Sequence, residues 1–445
     1  MAASDLTLEP PRSKGIADRL LSMFSQVNAG EGVVAVLLGV NVFLLMFGYY
    51  LLKPVREALI ISQSGAAVKS YSSAAQAALL LLVVPVFGIL ASRVNRVKLI
   101  TGVTLFFAAN LAVFALLGQA GARLGVAFFI WLGIYNVLVP AQMWGFNNDL
   151  FTVDQGKRLF PVIGIGASLG AWLGSVFAKQ VFRSMGPYRL MLLAAAMLIL
   201  CVLIVRWVNR RESSSAGQKK NQVAEKPLGK EGGFQLVLQN RYLFLIAMLV
   251  MLLNVVNTTG EFLLDSLVEQ EALKTEGAGE ATLAAREKFI GVFKADFFSW
   301  VNLTGFLMQL FLVSRIFKYV GVGRAVFILP MLALCGYSFM IAMPMLAIVR
   351  IAKIMENSTD YSLQSTIRHA LFLPTSREAK YKAKAAVETF FWRAGDMLQA
   401  GVVLLGTSLG FATGNFAMMN LGFTLIWLTV AFGIYREHKK LTQEA

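Results

Sequence analysis

Twelve apolar runs, each about as long as a bilayer is thick, follow one another along this 445-residue chain. They fall near 31–60, 71–92, 98–118, 124–151, 159–182, 187–208, 241–265, 291–314, 324–343, 345–373, 385–409 and 412–434. A helix needs about 20 apolar residues to cross hydrocarbon. Hydrocarbon offers no water to backbone N–H and C=O groups, so spans of this length must be packed helices. Composition agrees: 57% of residues are hydrophobic and 15% charged, against about 25% charged in soluble domains. The expected fold class is an all-α polytopic membrane protein of twelve transmembrane helices.

The same composition excludes several functions. Cys201 and Cys335 both lie in apolar runs, and the only histidines, His369 and His438, are far apart. No disulfide framework or metal spacing follows, and no cofactor is expected. The net charge of +16 does not point to nucleic acid, because basic residues collect in the cytoplasmic loops of membrane proteins. Arg93, Arg96 and Lys98 follow the second run, Lys157 and Arg158 the fourth, and Arg210, Arg211, Lys219, Lys220, Lys226 and Lys230 the sixth. Arg315, Lys318 and Arg324, then Arg377, Lys380 and Lys382, then Arg436, Lys439 and Lys440 continue the pattern. All share one side if both termini are cytoplasmic. Glu269, Glu271, Glu276, Glu280 and Glu287 then form an acidic outer loop, with Arg183 and Arg189 as exceptions.

The expected organisation is a cytoplasmic segment 1–30, a six-helix half 31–208, a linker 209–240, a second half 241–436 and a tail 437–445. Ile16, Leu20, Leu21, Phe24 and Val27 recur at helical spacing, as in an amphipathic helix lying on the membrane. A packed cytoplasmic cap fits equally. The linker is rich in Ser, Gly, Lys and Gln, a flexible composition.

Charge inside the apolar runs carries the functional information. A charge at membrane depth costs roughly 2.5–3.5 kcal/mol on insertion scales and normally faces a water-filled cavity. Lys53, Arg56 and Glu57 sit in the first run. Trp144, Asn147, Asn148 and Asp149 end the fourth, and Asn254, Asn257, Glu261 and Asp265 lie in the seventh. Arg350, Lys353, Asn357, Asp360 and Gln364 step by three or four residues along the tenth, hence share a helix face. Two alternatives are open: the first cluster snorkels at a helix end, or the charges form a self-paired structural network.

Gly88-Ile89-Leu90-Ala91-Ser92-Arg93-Val94-Asn95-Arg96 resembles the Gly-x-Leu-Ala-Asp-Arg loop of the major facilitator superfamily, with Ser92 in place of its Asp. Tyr49, Leu52, Lys53, Arg56, Glu57 and Leu59 resemble the span-one motif of the ADP/ATP translocases of intracellular bacteria and plastids. Trp144, Phe146, Asn148, Asp149, Lys157, Arg158, Phe160 and Pro161 are similar to that family's span-four motif. Ser358-Thr359-Asp360-Tyr361-Ser362-Leu363, Lys382-Ala383-Lys384-Ala385-Ala386 and Arg393-Ala394-Gly395-Asp396 resemble later motifs. The resemblance covers most of residues 45–400 and implies a divergent bacterial member with the major facilitator fold. It also implies alternating-access exchange of a nucleotide or related anion at the bacterial cytoplasmic membrane.

By that resemblance, Lys53, Arg56, Trp144, Asn148, Lys384 and Arg393 are candidate substrate-binding residues. Glu57, Asp149, Glu261 and Asp360 are candidates for gating or proton coupling. Lys53, Arg56, Glu57, Asn148, Asp149, Glu261, Asp360 and Lys384 are expected to converge on one central cavity, with Arg56 or Lys53 paired to Asp149 or Glu261. Phe146, Trp144 or Tyr361 is expected to stack a base. Asp360 and Asp396 stand where the family has lysines, so fewer cations are left for a polyphosphate. They would need protonation, or pairing with Arg350, Lys353 or Arg393. No Gly-rich phosphate loop is present, no nucleophile–base pair is evident, and an enzyme is not expected. The expected partners are a small-molecule substrate and the lipid bilayer, and the chain is expected to act as a monomer. A proton-coupled carrier of another polar solute is the second reading, and a non-transporting receptor or scaffold the third.

Overall fold

The computed structural model describes residues 15, 18, 27–28, 31–151, 153–213, 233–376 and 378–443. The expected amphipathic helix and most of the expected linker lie outside these residues. Helix α1 spans Gly32–Ser64, α2 Ala66–Arg93, α3 Arg96–Gln119 and α4 Gly125–Leu150. Helix α5 runs over Val153–Ser213 but breaks at Gly186, whose φ of 70° divides it into two arms. That break falls between the expected runs 159–182 and 187–208, at a conformation that only glycine adopts cheaply.

After the short α6 (Gly233–Gln239), α7 covers Arg241–Glu276 and α8 Leu283–Phe311. Then come α9 (Val313–Tyr319), α10 (Val322–Ala325), α11 (Ile328–Ala342) and α12 (Leu346–Thr359). A wide π-type turn over Asp360–Gln364 leads into α13 (Ser365–Leu371). Two more wide turns, Ala379–Ala383 and Val387–Phe391, flank α14 (Lys384–Ala386). Helices α15 (Trp392–Ser408) and α16 (Thr413–Gln443) end the chain.

Eight helices among the described residues are long and apolar enough to cross a membrane, or nine if the bent pair α8–α9 counts as one. One of the eight is α5, whose two arms match two expected runs. The expected runs 345–373 and 385–409 fall outside this set because charged residues and wide turns interrupt them. Glu269, Glu271 and Glu276 were expected in a loop and instead continue α7. Hydropathy ends at the first charges, whereas Glu, Ala, Leu and Lys still favour helix.

The first half packs around α1, which lies along α5. Gly166, Gly170 and Gly174 make this possible: a Cβ there would stand 2.4, 2.4 and 2.7 Å from the carbonyl oxygens of Gly39, Phe43 and Phe47. Small residues at four-residue spacing let two helix backbones touch, which drives helix association where the hydrophobic effect cannot. The second half packs α7 against α16 and α15. Contacts of α8 with α1 and α5, and of α2 with α15, join the halves. Outward-facing apolar residues such as Leu82, Val86, Leu116, Ile351 and Leu405 remain exposed, as a lipid-facing surface requires. One end of the bundle carries the turns at Gly65, Gly186 and Gly277 and is called the acidic end below. The opposite, basic end carries Arg93, Arg96, Arg210 and Arg211.

Candidate functional site

Helix α1 carries Lys53, Arg56 and Glu57 into the bundle. At 1.5 Å per residue from the helix midpoint near Gly48, Lys53 lies about 8 Å and Glu57 about 14 Å toward the acidic end. The two depths have different surroundings.

At the deeper level toward that end the charges form a layer of ion pairs. Arg56 binds Glu57 at 2.5 Å. Lys69 of α2 reaches Glu57 at 2.5 Å, Asp265 of α7 at 2.6 Å and Glu261 at 3.9 Å. Lys294 of α8 pairs with the other oxygen of Asp265. Glu57 and Asp265 are almost fully buried. Further bonds tie the halves together at the same end. Gln63 donates to Glu287 and accepts from the Gly125 N–H, both at 2.9 Å, and the Ala66 N–H donates to Glu269 at 2.9 Å. Gln399 donates to Ser70 at 3.1 Å, while Lys179 and Arg350 both bind Asp296.

Below this layer, toward the basic end, lies a cavity of about 470 Å³ between α1, α4, α5, α8 and the wide turn at 360–364. Tyr49, Tyr50, Lys53, Asn136, Ser168, Asn302, Gln309 and Tyr361 supply its polar lining, with Met46, Ala167 and Phe306 among the apolar positions. The Lys53 ammonium sits 4.0 Å from the centroid of Phe298, 5.3 Å from Tyr50 and 5.6 Å from Tyr361. It donates to the Tyr361 hydroxyl at 3.5 Å. Rings in this position stabilise a cation through their quadrupoles. Tyr361 itself is 45% exposed, the ring most available for stacking.

The structure brings Lys53, Arg56, Glu57 and Glu261 near one another, with Lys53 the one of the four that lines the cavity, and separates the others. The expected pairing of Arg56 or Lys53 with Glu261 is replaced. Arg56 takes its sequence neighbour Glu57, and Glu261 meets Lys69 and accepts from Asn357 at 3.3 Å. The side chain of Asp149 lies outside the described positions. Asn148 is exposed at the end of α4, away from the cavity lining. Trp144 packs edge-on against Phe160 at 6.0 Å, and Phe146 is buried in the apolar cluster of the basic end, so neither lines the cavity.

Lys384 pairs with Glu388 at 3.8 Å on α14, outside the cavity. Arg393 pairs with Asp396 at 3.1 Å, as the sequence suggested, and Asp396 also accepts from Asn254. Asp360 is buried and nearest to Arg368, at 3.9 Å, rather than to Arg350 or Lys353. Lys353 instead bonds Glu356 at 3.0 Å and the Asn257 side chain at 2.6 Å. The polar face of the tenth run therefore turns to protein partners, although among the described residues both polar side-chain atoms of Gln364 and one oxygen each of Asn357 and Asp360 stay buried without a hydrogen bond. Tyr361, four residues after Asn357 and inside the wide turn, lines the cavity.

Lys69 and Lys294 were missed. Both stand where an apolar run begins, which resembles an ordinary helix end. The signal available was a lone lysine one turn or less from an expected span, opposite the acids of the seventh run.

The profile of one protein family, described as TLC ATP/ADP transporter, matches residues 127–438. ADP,ATP carrier protein 1 of Chlamydia trachomatis is 22% identical over 341 residues, covering 66% of this chain and 62% of that protein. ADP,ATP carrier protein 2, chloroplastic, of Arabidopsis thaliana is 24% identical over 349 residues, covering 69% and 54%. The chain thus spans less than two thirds of the length of these relatives. Among solved structures, a POT family transporter in complex with a thioalcohol conjugated peptide superposes with a TM-score of 0.64 at 15% identity, covering 94% of this chain and 98% of that one. The nucleoside transporter NupG gives 0.58 at 15% identity, covering 92% and 99%. These likenesses bear out the all-α major facilitator fold.

Proposed function

The chain belongs to the TLC ATP/ADP transporter family, and from that premise we propose that it moves a nucleotide or related anionic metabolite across a membrane by alternating access, one molecule in exchange for another. The carrying observation is the cavity at mid-depth between the halves, with a cation and an exposed aromatic ring on its wall and a layer of ion pairs closing it toward the acidic end. A solute site at the bilayer midplane is where carriers of this architecture work. In this reading Lys53 and Tyr361 meet the solute. Arg56, Glu57 and Glu261, with Lys69, Asp265 and Lys294, form the gate at the acidic end. Twelve spans cross a bacterial cytoplasmic membrane, with the basic end and both termini inside, following the bias of Lys and Arg toward the cytoplasm.

The test is uptake of labelled ADP and ATP by proteoliposomes. Uptake that requires unlabelled nucleotide inside the vesicle supports exchange. Uptake that ignores internal nucleotide and follows an imposed pH gradient favours proton coupling instead. Absence of uptake across the nucleoside mono-, di- and triphosphates would sink the reading.

A further inference from the structure

We propose that the central cavity selects a solute with a single phosphate group beside a flat ring, a nucleoside monophosphate rather than a di- or triphosphate, and that Lys53 sets this preference. The proposal rests on the nucleotide-carrier reading and narrows it.

The other cations in the interior of the bundle each have a carboxylate within ion-pair distance: Arg56 has Glu57, Lys69 has Glu57 and Asp265, Lys294 has Asp265, and Lys353 has Glu356. Arg350 and Lys179 share Asp296, Arg368 is nearest Asp360, and Arg393 holds Asp396. Lys53 stands apart. Among the described residues no carboxylate lies within ion-pair distance of it, although it is only 8% exposed. An ammonium has three hydrogens to donate, and among the described residues Lys53 has one acceptor, a phenol oxygen at the long distance of 3.5 Å. The surrounding rings hold the ammonium without consuming its donors, since the attraction is to their faces.

The rest of the lining is neutral: tyrosines, asparagines, a serine and a glutamine. A single ammonium is best matched by the phosphorylated solute with the least excess negative charge, and a monophosphate brings only about −1.5 to −2 at pH 7. A triphosphate would bring several negative charges to a wall that offers a single cation, and each excess charge would have to shed its water without a partner. Its size suits a drug- or nucleotide-sized solute, since such pockets run about 300–1,000 Å³. Tyr361, exposed beside Lys53, offers the face on which a base stacks, with Asn136, Asn302, Ser168 and Gln309 placed for a sugar.

The experiment measures affinity from thermal stabilisation of the purified full-length protein by adenosine, AMP, ADP and ATP, and by the matching guanine, uracil and cytosine series. A ligand that binds the folded state raises stability with the logarithm of its saturation. The expected result is a monophosphate that binds at least tenfold tighter than the nucleoside, diphosphate and triphosphate of the same base. Lys53→Gln should remove that advantage, and Lys53→Arg should keep it. A di- or triphosphate bound as tightly as its monophosphate overturns the inference and leaves nucleotide transport standing. So does a Lys53→Gln protein that binds the monophosphate like wild type. If no nucleotide of any phosphate number stabilises the protein, the inference and the transport reading fall together. The wild-type comparison alone decides the matter should Lys53→Gln not fold.

Discussion

Lys69 joins three carboxylates from two helices, and its place in the protein follows from what each would do without it. Glu57 and Asp265 are almost fully buried, so each needs a cation. Arg56 and Lys294 supply one apiece, and Lys69 bridges the two pairs across the boundary between the halves. Removing one member of a buried ion pair costs about 3–5 kcal/mol, because the partner is left uncompensated. Lys69→Met is therefore expected to lower the thermal unfolding midpoint of the detergent-purified protein by several degrees. Adding Glu261→Gln restores the balance of charge and should recover part of the loss. A double variant no more stable than Lys69→Met would show that geometry, not charge balance, holds the layer together.

At the scale of elements, the seam between α1 and α5 is fixed by glycines whose missing Cβ atoms would meet backbone, which cannot rotate away. Gly170→Leu should force the two helices apart, and overpacking of this kind typically costs about 1–3 kcal/mol or more. The expected readout is a lower unfolding temperature with reduced uptake in the proteoliposome assay, whereas Gly164→Ala, facing open space, should behave like wild type. Much of the fold was legible in the sequence, because hydropathy reports the bilayer directly: the runs at 98–118 and 124–151 match α3 and α4 to within a few residues. The cavity wall was less legible. Helical spacing along the tenth run marked Lys353, Asn357 and Asp360, all of which turned inward to protein partners. It is Tyr361, one turn after Asn357 and inside the wide turn at 360–364, that lines the cavity. A π-type turn has no distinctive residue pattern, so a reading based on regular period passes over it. Asn148 and Lys384 were drawn in by motif resemblance, which conveys order along the chain but not which side of a helix faces the site.

For the whole molecule, the position of the cavity relative to the ion-pair layer predicts one-sided access. Gln309 lines the cavity on α8, on the basic side of Asp296 and Lys294. In a Cys335→Ser background, Gln309→Cys should react with a membrane-impermeant thiol reagent applied from the side of the 93–98 loop. From the opposite side it should react slowly. With Lys69→Met added, labelling from the opposite side should rise; equal labelling from both sides of the otherwise unchanged protein would refute the one-sided cavity.

The charges of the ion-pair layer are also unevenly shared. On the first half stand Arg56, Lys69 and Glu57, and on the second Lys294, Glu261 and Asp265. Closed, the six cancel; parted, they leave one wall positive by a unit and the other negative by a unit. An open vestibule at that end would be polarised across its width, drawing an arriving anion along the face of α1 and α2 and repelling it from α7. The same six residues whose pairing joins the halves would then give the passage a preferred lane.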